Sequence, residues 1–164
     1  MSLLNDLSIK MIEYFRGDAK RINHLILVHA YAKFIAEAEG VDKETLFIIE
    51  SSAYLHDIGV KNALAKYNSS IGELQEKEGP DEAKKILNEL GYDEQLIERI
   101  CFIIGHHHTY SMIDNIDFQI VVEANLIANY YEENIPKENV LYSYDNLFKT
   151  DTGKMIIETI YDLA

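Results

Sequence analysis

Glycines and prolines divide the chain into stretches with the lengths of ordinary helices. There are 8 glycines and 2 prolines, and they fall where apolar residues recurring every three or four positions begin or stop. A glycine after such a stretch and an Asp or Pro before it are common end and start signals of an α-helix. Since no segment alternates apolar and polar residues as a strand does, the pattern predicts an all-α protein.

This punctuation predicts seven helices, two of them started by the capping residues Asp42 and Asp93. One of the seven is expected to open at Pro80 and to stop at Gly91. The sequence shows no internal repeat, low-complexity segment or linker, so we expect one compact helical domain over residues 1–164. The expected helices cover residues 3–15, 22–39, 43–57, 80–90, 94–104, 117–134 and a last segment after 153.

The composition is that of a globular domain, with 48% hydrophobic residues. No apolar run reaches the roughly 18 residues that a membrane span requires. The first residues lack the basic and apolar segments of a secretory signal. The single cysteine, Cys101, cannot form an internal disulfide and is expected to be a small core residue. We therefore expect a cytoplasmic protein that does not bind membranes.

The formal net charge is -13, from 28 acidic and 15 basic residues. Such a surface repels nucleic-acid backbones unless a local basic patch intervenes, and no run of lysines and arginines is present to form one. Long nucleic acids are therefore not expected as partners. A small phosphorylated substrate remains compatible with the charge, because a bound cation would supply the positive field locally.

The 6 histidines fall in three neighbourhoods of predicted apolar helices. His56 is followed directly by Asp57, close to a predicted helix end where two short side chains can converge on one ion. Nitrogen and oxygen ligands together suit Mn, Fe, Ni, Co or Zn. Gly59 is expected to end the helix and let the chain turn away. A histidine on an apolar face is more often a hydrogen-bonded core residue, so the argument depends on the combination.

The segment around this pair resembles the signature of the HD superfamily of metal-dependent phosphohydrolases. Small residues and Leu lead into His-Asp in residues 51–57, and Ile-Gly follows. Residues 24–28, 103–107 and 121–126 are similar to the family's first metal histidine, its later histidine pair and its last ligand helix. The resemblance covers about residues 20–130 and implies an all-α helical bundle of the HD-domain type, with the C-terminal helices packing on it.

By this resemblance, His24, His56 and Asp57 correspond to three of the family's four metal ligands. The fourth position, where the family has an aspartate, is Asn125 here. Its amide oxygen is a neutral ligand, so the resemblance implies weaker binding of the divalent metal ion (Mn, Fe, Ni, Co, Zn or Mg). Glu123 lies ~200° away around the helix and is not expected to replace it.

Other residues receive roles from the same resemblance. His106 and His107 are expected to contact the metal environment or the substrate phosphate and to assist catalysis, while Asp57 orients or deprotonates the attacking water. Lys61 is a candidate phosphate contact, although an exposed lysine near a helix end is commonplace. His29, ~140° from His24 around the helix, is expected to be a structural histidine, and His108 a polar loop residue.

Two-metal branches of the family carry a further histidine before a Gly-Ala pair, and the corresponding stretch 75–80 has none. The resemblance therefore implies one divalent ion and hydrolysis of a small phosphate monoester or a nucleotide. The main alternative is a non-catalytic domain that binds a metal or nucleotide, because of Asn125. A helical interaction domain with structural histidines is a further alternative. Residues 152–154 could bind an anion or simply start a helix. The sequence does not determine the oligomeric state.

Overall fold

A computed structural model describes residues 2–163 of the chain. Within this range the protein consists of nine α-helices and a short 3-10 turn, without a strand, so the predicted all-α fold is confirmed. The helices are α1 (Leu3–Tyr14), α2 (Ala19–Ala38), α3 (Lys43–Leu55), α4 (Val60–Tyr67), α5 (Gly72–Leu90), α6 (Glu94–Ile104), α7 (Ile116–Glu132), α8 (Lys137–Asn146) and α9 (Asp151–Tyr161).

The centre of the fold is α7, which packs with α2 and α3. Every residue from Asp117 to Ala128 is buried, as expected of a helix that is apolar around most of its circumference and has neighbours on all sides. In the described part of the chain, no helix combines the length and the apolar character needed to cross a bilayer. The buried polar residues of α7, which are Asp117, Gln119, Glu123 and Asn125, lie in the protein interior.

Several predicted helix ends are confirmed by specific contacts. Asp42 caps α3, its carboxylate accepting a hydrogen bond of 2.8 Å from the Thr45 amide. Gly91 ends α5 with a positive φ of 80°, which glycine adopts without strain. Helix α3, however, ends at Leu55. His56 and Asp57, which were predicted as the last residues of this helix, consequently lie in the turn that follows α3.

The prediction that a helix opens at Pro80 is wrong. Helix α5 begins at Gly72 and contains Pro80 in its interior. Proline lacks an N–H group and its ring crowds the preceding turn, so it is unfavourable at such a position. Close packing accommodates it here, because Gly105 lies against the ring with its Cβ position only 3.1 Å from Pro80 Cγ. Helices α4 and α8 were not predicted, since both are short and mostly exposed.

Position 59 requires glycine because another segment packs closely against it, and not because the chain turns there as predicted. Its φ of -76° is helical and is open to any residue. A side chain at this position would place its Cβ 2.5 Å from the Gln75 carbonyl oxygen and 2.6 Å from the Gly79 nitrogen. The backbone of α5 therefore passes directly over the turn that carries His56 and Asp57. This close crossing fixes the position of the turn in the protein.

Candidate metal centre

Three buried side chains from two parts of the chain meet at one point. His24 comes from α2, and His56 and Asp57 come from the turn after α3. The His24 and His56 Nε2 atoms are 3.2 Å apart. Asp57 Oδ2 lies 3.3 Å from His24 Nε2, and Asp57 Oδ1 lies 3.6 Å from His56 Nε2. Ligand atoms bound at ~2.1 Å to one tetrahedral ion would be ~3.4 Å apart, so the spacing fits a metal ion.

The other ring nitrogens show which atoms are free to bind. His56 Nδ1 lies 2.8 Å from the Ala53 carbonyl oxygen, and His24 Nδ1 lies 2.7 Å from the Glu132 carboxylate. Both partners are acceptors only, so each Nδ1 must carry the proton and donate it. In the neutral rings, both Nε2 atoms then hold lone pairs that face each other and the Asp57 carboxylate. A cation between them would relieve this repulsion, and the donor set therefore fits a divalent metal.

Burial and charge keep these groups in the forms that bind metals. Burial lowers the pKa of His56 to about 3, so this imidazole is neutral at neutral pH. Burial raises the pKa of Asp57, but its interactions with His56, His107 and Arg21 outweigh burial and hold that pKa well below its usual range. Arg21 Nη1 also donates a hydrogen bond to Asp57 Oδ2. The cluster thus combines the neutral imidazole of His56 with the ionised carboxylate of Asp57.

A polar cavity of about 240 Å³ opens beside Asp57. Asn125, from α7, lines this cavity together with Asp57 and Arg21. The Asn125 side chain is buried, and its Oδ1 accepts a hydrogen bond of 3.3 Å from Asn129 Nδ2 one helical turn later. The structure therefore brings Asn125 to the cavity that also contains one of the candidate ligands, as a neutral group.

Two of the three consecutive histidines also lie near Asp57. His107 Nδ1 is 2.7 Å from the Ile104 carbonyl oxygen, which leaves Nε2 as the free atom. That Nε2 is buried, lies 3.6 Å from Asp57 Oδ1 and has no hydrogen-bond partner among residues 2–163. Asp57, His107 and His108 form a second group spaced for an ion, and His108 Nε2 also lies 3.0 Å from Gln75 Oε1. The two groups share Asp57, whereas the resemblance implied a single ion.

His106 and Lys61 lie apart from these groups. His106 Nδ1 is 2.7 Å from the Phe102 carbonyl oxygen, and its ring packs on the Phe102 ring with 4.5 Å between centroids. Lys61 donates to the Tyr14 carbonyl oxygen at 3.1 Å and lies over the Tyr14 ring, beside a different cavity. Neither side chain lines the cavity at Asp57 in this structure.

Sequence reasoning missed two residues that contact the cluster. Arg21 binds Asp57, and Glu132 binds His24. Helical spacing could have found both: Arg21 precedes His24 by three residues on α2, and Glu132 follows Asn125 by seven residues on α7. Residues three or seven apart share a helix face, so a charged residue at either position is a candidate neighbour of the site.

Glu123 faces away from Asn125, as the helical geometry predicted. Its buried carboxylate accepts hydrogen bonds from the Lys149 and Thr150 amides, at 2.5 and 3.0 Å, and from the Thr150 hydroxyl at 2.7 Å. Glu39 accepts a bond of 2.8 Å from the Thr152 amide. The protein's own carboxylates therefore occupy the start of α9, and residues 152–154 serve as an ordinary helix start.

His29 and Cys101 contact residues outside the histidine cluster. His29 Nε2 lies 2.9 Å from the Glu50 carboxylate, and the His29 ring stacks on Tyr54 with 4.0 Å between centroids. Burial lowers the pKa of His29. Cys101 is half-buried against Pro80, and burial raises the pKa of its thiol to about 11. A thiol of that pKa is a poor nucleophile at neutral pH.

Comparison with known proteins agrees with this architecture. The family model of the HD domain matches residues 21–147 of the chain. A crystal structure of a predicted HD superfamily hydrolase from an uncultured Thermotogales bacterium superposes with a TM-score of 0.67 at 22% identity, covering 98% of this chain and 84% of that one. At that identity the likeness shows the fold. No protein of curated function matches in sequence. Since the family match spans more than half of the chain, this protein belongs to the HD domain family.

Proposed function

We propose that this protein is a metal-dependent phosphohydrolase that acts on a small phosphate monoester or a nucleotide. One observation supports this proposal above all. The Nε2 lone pairs of His24 and His56 and the Asp57 carboxylate point at one another at 3.2–3.6 Å, in a buried site. Such an arrangement is unfavourable without a cation, and it lies beside a polar cavity that can receive a substrate.

The residues have separate roles in this proposal. A divalent ion held by His24, His56 and Asp57, with Asn125 as a neutral fourth ligand, would polarise a phosphoryl oxygen and lower the pKa of a water molecule. Asp57 would orient that water or accept its proton. Arg21, whose guanidinium lines the cavity, would bind phosphoryl oxygens and offset the charge of the reacting group. His107 Nε2 has no hydrogen-bond partner among the described residues. It would contact a group bound to the ion or, when protonated, donate a hydrogen bond to a phosphoryl oxygen.

A non-catalytic domain that binds a metal or nucleotide is the second candidate. Asn125 favours it, because an amide in place of a carboxylate removes one negative charge from the ligand set. The two candidates differ in turnover and not in metal binding. Measurement of both properties on the same preparation therefore separates them.

The test uses two histidines of the same helix. His24→Gln removes a candidate ligand, while His29→Gln alters a histidine that contacts Glu50 outside the cluster. Metal affinity by calorimetry and phosphate release from p-nitrophenyl phosphate would be measured for both variants, with circular dichroism to verify folding. Removal of a group that only hydrogen-bonds to a metal ligand lowers metal affinity by roughly 10–100-fold. We expect His24→Gln to lower metal affinity by a larger factor and to abolish activity. We expect His29→Gln to bind metal like the native protein.

Each contrary result points to a different error. If the native protein neither retains nor takes up a transition metal, the metal centre and the phosphohydrolase proposal both fail. If metal binds and His24→Gln weakens it, but no phosphate ester is hydrolysed, the non-catalytic domain is the correct description. Equal losses in the two variants would show that the cluster does not hold the ion.

A further inference from the structure

Provided that the proposed phosphohydrolase function holds, the residues that line the cavity beside Asp57 indicate the chemical class of the substrate. The wall of this cavity is contributed by helices α2, α5 and α7 and by the turns that follow α3, α4 and α6, and Asp57 belongs both to this wall and to the histidine cluster. A phosphoryl group held at Asp57 and Arg21 would direct the remainder of the substrate into this space. The chemistry of the wall should therefore match the part of the substrate that is not phosphate.

Side-chain amides and a hydroxyl make up much of that wall, contributed by Ser70, Gln75, Asn125 and Asn129. Asn129 Nδ2 donates to Asn125 Oδ1 at 3.3 Å, which leaves the Asn125 amide nitrogen and the Asn129 amide oxygen without a partner among the described residues. Gln75 bridges the Ser70 carbonyl oxygen at 2.6 Å and His108 at 3.0 Å, so it holds a fixed orientation. Such a wall offers both donors and acceptors, which suits hydroxyl groups because they donate and accept.

The same wall offers little to a nucleobase. Among the described residues that line this cavity, none has an aliphatic, Phe, Tyr or Trp side chain, and the one aromatic ring, that of His108, already packs on His107 with 4.1 Å between centroids and contacts Gln75. Proteins that bind bases generally stack them on aromatic rings. The volume of about 240 Å³ is also below the ~300–1,000 Å³ of pockets that enclose larger ligands. The space therefore suits a group smaller than a nucleoside.

Charge limits the substrate further. Arg21 is the one arginine or lysine among the residues described around the cavity, and it already pairs with Asp57. Glu133, which directly follows α7, adds a carboxylate to the wall. A second phosphate or a carboxylate on the substrate would meet this acid without a cation to balance it. The cavity favours a single phosphate joined to a neutral group.

From these observations we infer that the substrate is the monophosphate of a small sugar or polyol, and that Gln75 and Asn129 determine this specificity through hydrogen bonds to its hydroxyl groups. The amide pair and Ser70 would replace the water that such hydroxyl groups lose on binding. A nucleotide carries similar hydroxyl groups, but its base would need space beyond this cavity of about 240 Å³ and would meet no aliphatic, Phe, Tyr or Trp side chain of the described wall.

The experiment compares kcat/KM for ribose 5-phosphate, glycerol 1-phosphate, adenosine 5'-monophosphate and p-nitrophenyl phosphate in the metal-loaded protein. We expect the ribose or glycerol ester to exceed the nucleotide by at least about tenfold. Asn129→Leu should reduce this preference by a similar factor, because it replaces an amide with an apolar group. Asn88→Leu, on an exposed position of α5, serves as the matched control and should leave the preference unchanged.

The outcomes separate this inference from the proposed function. Absence of phosphate release from all four esters, p-nitrophenyl phosphate included, would refute the phosphohydrolase proposal and the inference with it. Hydrolysis of p-nitrophenyl phosphate and the nucleotide in preference to the sugar and polyol esters would overturn the substrate class alone. A native preference that Asn129→Leu leaves intact would overturn the assigned role of the amide wall.

Discussion

Replacement of Gly59 by alanine tests how the fold positions the candidate metal ligands. Gly59 follows Asp57 by two residues, and the backbone of α5 crosses directly above it. The added Cβ would lie 2.5 Å from the Gln75 carbonyl oxygen, 2.6 Å from the Gly79 nitrogen and 2.9 Å from Gly79 Cα. All three atoms belong to backbone, so no side-chain rotation can relieve the contact. The turn and α5 must separate.

The size of the effect follows from these distances. An ordinary contact of about 3.4 Å requires the two segments to move apart by about 0.9 Å at the closest pair. Overpacking of this kind costs about 1–3 kcal/mol. Alanine in a helical conformation regains about 0.5–1 kcal/mol. A net loss of about 1–2 kcal/mol would lower Tm by about 2–8 °C for a domain of this size.

The same displacement should also weaken metal binding. Ligand groups must be held within about 0.5 Å of their working positions, and a displacement of about 0.9 Å exceeds this tolerance. We expect metal affinity of Gly59→Ala, measured by calorimetry, to fall by at least about tenfold, or about 1.4 kcal/mol.

The matched control is Gly91→Ala. Gly91 has a φ of 80° and no neighbour within 4 Å of its Cβ position, so alanine there introduces backbone strain alone, about 1–2 kcal/mol. This variant should lose stability and keep its metal affinity. A Gly59→Ala protein that melts and binds metal like the native protein would refute the claim that the crossing fixes the turn.

Three further substitutions address single contacts. Asn125→Asp should raise metal affinity by at least about tenfold, because the new carboxylate attracts the ion. It should also lower the Tm of the metal-free protein, where that charge is buried without a partner ion. Calorimetry would measure the affinity, and thermal melts with and without metal would measure Tm. Glu132→Leu should weaken metal binding by about 10–100-fold because His24 loses its acceptor, and unchanged affinity would count against that contact. Glu123→Gln should reduce the free energy of unfolding in urea by about 1–3 kcal/mol with metal affinity unaltered, because the Thr150 hydrogen bonds lie away from the site.

The sequence was a good guide wherever the signal was local. Asp42 and Gly91 mark helix ends through interactions with residues a few positions away, and the structure places both as predicted. Pro80 shows the limit of such signals. Its local preference is for the first turn of a helix, but packing against Gly105 allows it in the middle of α5. A packing contact between distant segments has no local signature.

The candidate site divides in the same way. The sequence by itself provided four candidate metal ligands, His24, His56, Asp57 and Asn125, because a motif and its resemblance to a family are properties of residue order. Only the tertiary structure decided which ring nitrogens face inward and that Glu132 contacts His24, 108 positions away. It also placed His107, and not His106, beside Asp57. These facts depend on how α2, α6 and α7 pack, and packing is set by the shapes of many side chains together.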